Sequence, residues 1–468
     1  MPPSKMQKDL SQRDYRSQGY KTSAKGKAPT HSPPTKILPM IPYVGNGLCD
    51  IAHNCAQHEP RRGMRSCVRR GPDPMNSTTT VLVICDSKQP PHHRESSVSN
   101  IQRLLDDHKL SKVAVKFVSG RLARGAYDLM GKELDRRVLQ VPCMLGERIA
   151  LKGAHNSGTL GGLLELKMPG KAEYLTVGLT CFHCVNPSEK GMDPQFLARV
   201  HVWRDEGIAP DDNLRTRLEV ENPSPNAIKV KIASVRDEIC GIEQNEEYAR
   251  LCDLVSEGLQ GQLGRRAEQT FLGITKNLSE LKSFLREMEK FRANFGSVFA
   301  ASGFRTTNDC KSSNLDWALV EIPSDRVGDN ITPDGHHLRE GPIPVNLDDI
   351  PLFIHRQRSG LSKGRKGILL SAHLKHEIKD GESVTRVTYE QSIFPHTGLH
   401  FSQGGDSGAL VFTESHVVVG MLIGGVISNS GFESTCSYFT PIDVLVKDIK
   451  KITKATDVRL KMDRSGTS

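Results

Sequence analysis

From about residue 143 onward, the chain consists largely of short apolar runs that alternate with turns rich in glycine and proline. The runs at residues 157–168 and 172–185, for example, are separated only by Pro-Gly-Lys, a strong turn signal. Short runs bounded in this way are typical of antiparallel strands, whereas helices need longer periodic segments. The pattern therefore predicts a mainly β fold, either a barrel or a sandwich, for this part of the chain.

The remaining segments differ from the β region in composition. Residues 1–75 are rich in Pro, Ser, Lys and Arg without periodicity, which predicts a disordered basic tail. Residues 76–145 carry an apolar strand, an amphipathic helix and a second strand, which predicts a small α/β domain. We assign residues 146–450 to the β domain and expect it to end in a helix. Residues 451–468 are assigned to a C-terminal tail.

A helical segment interrupts the β pattern at about residues 245–294. Its apolar residues recur at intervals of three or four, the spacing of one helix face. Glycines divide the segment, so it predicts a hairpin of two helices inserted into the β domain. The pattern is consistent with an insertion packed on itself and also with a lid over a binding site. The two apolar faces consist of Leu251, Val255, Leu259 and Leu263, and of Leu278, Leu281, Leu285 and Met288.

The positive charge of the chain lies almost entirely in its first 75 residues. The formal net charge is +9, and residues 1–75 contain 13 Lys and Arg against 5 Asp and Glu. The remainder is close to neutral, which argues against a nucleic-acid-binding surface on the folded part. Nucleic acid is therefore not an expected partner of that part, although binding through the basic tail stays open as an alternative.

The cysteines and the apolar runs bear on compartment and cofactors. The N-terminus lacks the apolar core of a secretory signal, and the longest apolar stretch, residues 417–427, is too short to span a bilayer. We therefore expect an intracellular protein, cytoplasmic or nuclear, with reduced thiols and no membrane partner. No metal or other cofactor is expected, because the candidate ligands of the tail match no common zinc motif. Those candidates are Cys49, His53, Cys55, His58 and Cys67.

Residues 401–412, FSQGGDSGALVF, place Ser407 in a glycine-rich turn before an apolar strand. Glycine lets the backbone turn sharply without a Cβ clash. In such a turn the N–H groups of Gly405 and Ser407 can point to one spot and stabilise an oxyanion. An ordinary hairpin turn has the same composition, so this segment alone does not decide between a structural and a nucleophilic serine.

Two further residues extend the nucleophile hypothesis. His183 follows an apolar strand in LTCFHCV, and Asp316 opens the apolar run DWALVEI. A histidine can act as the base that a serine nucleophile needs, and an aspartate can orient the imidazole. Taken singly, each is also compatible with a structural role. The pair Cys181 and Cys184 around His183 lacks the partners of a metal or redox motif.

The order His183, Asp316, Ser407 carries a resemblance to a known family. The segments LTCFHCV, LDWALVEI and GGDSGALV resemble the histidine, aspartate and serine motifs of trypsin-like serine peptidases of the chymotrypsin fold. More narrowly, the chain resembles poorly characterised intracellular trypsin-like proteins of filamentous fungi, in which a small α/β domain precedes the peptidase. The resemblance covers roughly residues 146–446, and the serine motif is its most specific part.

The resemblance implies two six-stranded antiparallel β-barrels with the active site in the cleft between them. It implies that His183 acts as general base and then acid, that Asp316 orients it, and that Ser407 is the nucleophile. Gly405 and Ser407 would supply the oxyanion N–H groups. By position relative to the nucleophile, it also implies a primary substrate pocket formed by Phe401, Ile423, Gly424 and Gly425.

The chain departs from the family pattern in several places. Ala409 replaces the second glycine of the serine motif, and the bulky Phe182 stands directly before the histidine. No segment like the family's activating N-terminus precedes the first barrel, so Asp406 should need no cleavage to order the site. Phe401 stands where trypsin-like enzymes that cut after Lys or Arg carry an acid, so an apolar or small residue is expected at the cleaved position. Cys184 matches a disulfide position of secreted members and is expected to be reduced.

These observations lead to two main hypotheses. The first is a serine endopeptidase that hydrolyses protein or peptide substrates through a Ser-His-Asp triad and an acyl-enzyme. The second is a catalytically silent protease-fold protein that serves as a binding or scaffold module, its cleft blocked by the insertion or distorted around Phe182. They differ in whether Gly405 and Ser407 present their N–H groups to an open cleft.

Overall fold

The protein is described here by a computed structural model. The described residues are 63–70, 78–85, 91–123, 134, 136–139, 142–154, 156–332, 334–344, 347, 350–356, 360–379, 382–396, 400–428 and 434–462. Most of the predicted basic tail lies outside these ranges. The exception is a strand at Gly63–Arg70, within the segment for which the sequence predicts disorder.

Six antiparallel strands close into a barrel in the C-terminal half. The ring runs β12-β11-β15-β16-β17-β14 and returns to β12 through a second pairing of that strand. Its interior is a compact apolar cluster that includes Leu352, Ile354, Val411 and Phe439. The strands are β11 (Pro351–Arg356), β12 (Gly360–Lys366), β14 (Glu382–Pro395), β15 (Leu410–Thr413), β16 (Val418–Ser428) and β17 (Ser434–Pro441).

The N-terminal α/β unit is hydrogen-bonded to this barrel. Its elements are β1 (Gly63–Arg70), β2 (Thr78–Cys85), α1 (Pro91–Asp107) and β3 (Ala114–Ala123). β2 and β3 are parallel, as a strand–helix–strand unit requires. β1 pairs with β13 (Ser371–Lys379), and β3 pairs with β16, so the unit continues the sheet of the barrel. The assignment of this unit to a separate domain, made from the sequence, stays a prediction.

Eight strands form the second sheet, in the order β18-β6-β7-β10-β9-β8-β4-β5. Every pairing in it is antiparallel, and within the described residues the sheet curves without closing. The strands are β4 (Arg148–Leu151), β5 (Gly158–Thr159), β6 (Gly162–Lys167), β7 (Tyr174–Thr180), β8 (Glu219–Glu221), β9 (Asn294–Ala301), β10 (Ala318–Glu321) and β18 (Asp457–Leu460).

The end of the chain contributes to this second sheet. The predicted C-terminal helix is confirmed as α7 (Ile442–Thr453). β18 follows it and pairs with β6, inside the segment assigned to a polar tail. The apolar side chains of Val458 and Leu460 alternate with polar ones and are buried, which is the physical reason that this short segment forms a strand. The predicted mainly β, chymotrypsin-like fold class is confirmed by the closed barrel and the half-barrel sheet.

The other five α-helices of the described residues lie between β7 and β9. α2 (Phe182–Val185) and α3 (Pro194–Glu206) come first, followed by α4 (Pro225–Glu243), α5 (Glu246–Ser256) and α6 (Arg265–Lys290). The insertion thus has three helices and begins at Pro225, whereas the sequence predicts two helices from about residue 245. Its apolar cluster consists of residues from α4, α5 and α6 together with Leu134 and Leu139. No helix of the described residues is long and apolar enough to cross a membrane.

Candidate active site

Asp316 holds the segment that carries His183. β7 ends at Thr180, and the single turn of α2 places the His183 imidazole beside the start of β10. One carboxylate oxygen of Asp316 lies 2.8 Å from His183 Nδ1, and the other accepts the backbone N–H of His183 at 2.9 Å. The backbone carbonyl of Asp316 accepts the N–H of Phe182 at 3.2 Å. Asp316 therefore fixes both the backbone and the ring of His183.

This pair is removed from solvent. The Asp316 side chain is 0% exposed and that of His183 is 7% exposed. Burial disfavours a charged imidazole, but the negative charge of Asp316 and its hydrogen bond outweigh that effect, so the pKa of His183 is raised above its ordinary value. Because Nδ1 faces the carboxylate, the proton of the neutral ring resides there, and Nε2 is left as the basic nitrogen.

Ser407 occupies a tight turn at the start of β15. Gly405 and Gly408 on either side have φ of +94° and +100°, a conformation that favours glycine. Gly408 also lies against the His183 segment. A Cβ added there would stand 2.8 Å from Thr180 Oγ1 and 3.3 Å from the backbone nitrogen of Cys181. Both glycines around Asp406 and Ser407 are thus required by conformation, and the second also by space.

The backbone of the serine turn is fastened to the second sheet. Thr159 donates its N–H to the carbonyl of Ser407 at 2.8 Å and its hydroxyl to the carbonyl of Gly405 at 2.7 Å. The Asp406 carboxylate accepts the N–H of Gln403 at 2.7 Å, which closes the turn from the other side. These bonds use the carbonyl groups of the turn. The N–H groups of Gly405 and Ser407 donate to no acceptor within the described part of the chain.

A buried arginine lies against the same turn. Arg148 of β4 is 8% exposed. Its guanidinium lies 3.4–3.5 Å from the position that a Cβ on Gly405 would occupy. Within β4 and β5, Arg148 pairs with Thr159, so two neighbouring residues of one hairpin support the turn. The sequence analysis does not identify either residue, because each contacts a turn that lies about 250 residues further along the chain.

No hydrogen bond joins the side chains of His183 and Ser407, although their segments are in contact. Nε2 of His183 is buried and has no hydrogen-bond partner among the described residues. Ser407 is 2% exposed. The link between the two segments is made by backbone and thiol groups, including a 3.8 Å contact of Cys184 Sγ with the Ser407 carbonyl. Catalytic hydrogen bonds are often long in structures without substrate, so this geometry leaves a triad open.

The departures from the family motifs have simple packing explanations. The ring of Phe182 is buried and packs edge-to-face on Phe304 at 5.0 Å, within the core of the second sheet. The methyl group of Ala409 is buried in the barrel core, and its backbone accepts the N–H of Leu422 at 2.9 Å. Cys184 is a free thiol. The bulk of Phe182 therefore lies in the core of the second sheet.

The residues assigned to the substrate pocket divide into two groups. Phe401 is completely buried in the barrel core, so its ring has no accessible surface. Ile423, Gly424 and Gly425 lie on β16, and Gly425 pairs with Ser437 of β17. The hydroxyl groups of Ser437 and Ser402, both buried, share one hydrogen bond of 2.7 Å. This hydroxyl pair is absent from the sequence analysis, although Ser402 stands directly after Phe401.

Comparisons with known proteins were made for the sequence and for the structure. No model of a protein family matches the chain, and no curated protein matches it. Among solved structures, Thermobifida fusca protease A is 10% identical with a TM-score of 0.30, and the match covers 68% of this chain and 98% of that one. Nocardiopsis protease is 9% identical with a TM-score of 0.30, and the match covers 68% of this chain and 98% of that one.

A third solved structure is a glutamic acid-specific serine protease, 10% identical with a TM-score of 0.32, where the match covers 68% of this chain and all of that one. These structural neighbours are serine proteases. At such identities and TM-scores the likeness carries no argument about activity, so the function has to be argued from the site itself.

Proposed function

We propose that this protein is a serine endopeptidase that cleaves protein or peptide substrates through an acyl-enzyme. The observation that carries the proposal is the His183–Asp316 pair. Both carboxylate oxygens hold the histidine, and its Nε2 is left as a base without a partner among the described residues, on a segment that contacts the Ser407 turn through Cys184. A histidine needed only for packing would gain nothing from a buried nitrogen without a partner.

In this mechanism Ser407 Oγ attacks the scissile carbonyl and Nε2 of His183 takes the hydroxyl proton. The charge of Asp316 stabilises the imidazolium, and the N–H groups of Gly405 and Ser407 bind the oxyanion. His183 then gives its proton to the leaving amine. A water molecule, deprotonated by the same nitrogen, hydrolyses the acyl-enzyme and restores Ser407.

The N–H groups of the turn add independent support. The carbonyls of Gly405 and Ser407 are both hydrogen-bonded, whereas their N–H groups have no acceptor in the described residues. Backbone donors are rarely left unsatisfied unless a ligand or water binds them. An oxyanion site requires N–H groups of this kind, two donors on one turn that are not used within the protein.

The second hypothesis, a silent binding module, rests on two observations. No hydrogen bond joins His183 and Ser407, and Ser407 is almost completely buried. Catalytic hydrogen bonds often form only in the complex with substrate, so we favour the enzyme. We also propose an intracellular compartment for the protein. The cysteines whose side chains are described carry free thiols, which supports this proposal.

Labelling with a fluorophosphonate probe tests the proposal. The native chain should react at a serine, Ser407→Ala should not react, and Ser188→Ala, which changes an exposed serine, should react normally. Circular dichroism and thermal melting of all three proteins would establish that they are folded. A folded native chain that stays unlabelled across the neutral and alkaline range would contradict the enzyme and favour the binding module.

A further inference from the structure

A cluster of possible metal ligands lies away from the triad, at the tip of the hairpin between β15 and β16. His416 from this tip meets Asp334 and His336 from the segment before β11. The ligand atoms of these three side chains lie within 4.8 Å of one another. Asp334 and His336 are about 80 residues from His416 in the chain, so no spacing motif in the sequence connects them.

The conformation of His416 is unusual for a residue with a side chain. Its φ is +62°, in the region that favours glycine or asparagine, and it closes a turn by donating its N–H to the Thr413 carbonyl at 2.9 Å. A glycine would close this turn without strain. The histidine instead places its ring between Phe412, 6.0 Å away, and His336, 4.5 Å away, both measured between ring centroids.

The segment with the other two ligands is held in place by partly buried hydrogen bonds. The hydroxyl of Thr332 donates to the carbonyl of His336 at 2.9 Å and accepts its N–H at 3.1 Å. The residue between the ligands, Gly335, takes a φ of +87° to make the turn.

Backbone bonds join the two ligand-bearing segments directly. The N–H of Arg339 donates to the carbonyl of His416 at 2.9 Å, and the N–H of Val418 donates to the carbonyl of Arg339 at 3.0 Å. The ligands are therefore positioned relative to each other by the main chain. Only small side-chain rotations are needed to bring them to one ion. Two ligands of a tetrahedral zinc lie roughly 3.3 Å apart.

We propose that Asp334, His336 and His416 bind one Zn²⁺. Two imidazole nitrogens and one carboxylate oxygen form a ligand set that suits zinc, and exposure of the cluster leaves the fourth position to water. The ion would tie the β15–β16 hairpin to the segment before β11. β15 begins three residues after Ser407, so the site would brace the strand behind the nucleophile. The proposal does not depend on peptidase activity.

The experiment must separate this site from the triad, where Cys181, His183 and Asp316 also bring ligand atoms within 4.8 Å of one another. The full chain is stripped with a chelator and titrated with Zn²⁺ in competition with a chromophoric indicator. Cobalt is then used as a spectroscopic probe. Ligation by Cys181 would produce thiolate charge-transfer absorption in the near ultraviolet, and the proposed site, with nitrogen and oxygen ligands, would not.

His416→Gly is the decisive variant, because it removes a ligand and relieves the strained φ, so loss of binding cannot be attributed to misfolding. We expect one equivalent of Zn²⁺ in the native chain and at least tenfold weaker binding in His416→Gly and His336→Ala. His337→Ala, which removes the exposed histidine next to a ligand, should bind as the native chain does. Unchanged affinity in His416→Gly, no saturable binding, or a cobalt spectrum showing only thiolate ligation would each overturn the proposal.

Discussion

Replacing Asp316 by Asn should inactivate the proposed nucleophile by reversing the tautomer of His183. The backbone N–H of His183 donates to one carboxylate oxygen, and Nδ1 donates to the other. In Asn, the single carbonyl oxygen must still accept the backbone N–H, so the amide NH₂ faces Nδ1. Nδ1 then becomes an acceptor, and the ring proton moves to Nε2, which can no longer take the proton of Ser407.

The expected magnitude follows from the loss of general-base catalysis. A wrong tautomer in a triad of this geometry lowers the rate by about 10⁴, equivalent to roughly 5.5 kcal/mol in the activation barrier. The assay is the second-order rate constant for fluorophosphonate labelling, followed over time for native and Asp316→Asn protein. Removing the negative charge also lowers the pKa of His183, so the small residual rate should persist to lower pH than the native rate.

A matched control is available at Asp448, the hydrogen-bond partner of Trp317, which follows Asp316 in the chain. Asp448 is buried and accepts the indole N–H of Trp317 at 2.9 Å and a guanidinium N–H of Arg305 at 2.6 Å. Asp448→Asn perturbs a buried carboxylate close to the site without contacting His183. It should reduce the melting temperature but leave labelling of the folded protein unchanged. A native-like labelling rate in Asp316→Asn would refute the tautomer argument.

Three further predictions concern the same turn and its surroundings. Because the base must be neutral and the pKa of His183 is raised, labelling should fall as pH decreases through a value above about 6.5; a flat pH–rate profile would contradict this. Arg148→Met should slow labelling about tenfold by loosening the Gly405 turn, with little change in substrate KM, whereas a change in KM alone would point to substrate binding instead. Replacing residues 224–291 by a short glycine linker should preserve the labelling rate, because the insertion packs mainly on itself. A short linker can span the gap, since the N–H of Asn222 lies 2.7 Å from the carbonyl of Ala293. Faster labelling would identify the insertion as a lid.

The segments that carry His183 and Asp316 could be predicted because each stands at the end of a strongly apolar strand. Strand ends are visible in the hydrophobic pattern, and the pairing of the two residues was implied by the resemblance of their segments to the family motifs. The turn that carries Ser407 could be predicted for a different reason, because it has glycines at the positions where φ is positive. The mainly β fold class followed from the length of the apolar runs.

The groups that support the site were not predictable in the same way. Arg148 and Thr159 contact a turn that is distant in the chain, and the two-residue strand of Thr159 has no periodicity that could be recognised. The assignment of Phe401 to the pocket rested on its distance from Ser407 in the chain. Such counting fixes a backbone position but not the direction of the side chain, which here points into the barrel core.

The boundaries missed in the sequence have local causes. α4 carries buried Ala227, Val235 and Ile239 on one face, a signal that was available but fell in a segment of mixed polarity. β18 has only four residues, and its two apolar residues indicate a strand only once its pairing with β6 is known. The cluster of Asp334, His336 and His416 arises from tertiary contact alone and has no counterpart in the linear sequence.

The most direct test of the central claim is to trap the acyl-enzyme. The full chain is mixed with an activated ester of a short peptide that ends in a small apolar residue, quenched with acid and analysed by intact and peptide-level mass spectrometry. We predict one acyl group on Ser407 that forms quickly and is lost with time, and no acyl group in Ser407→Ala. An acyl group carried by Cys184, or none on the folded native chain, would contradict the proposed mechanism.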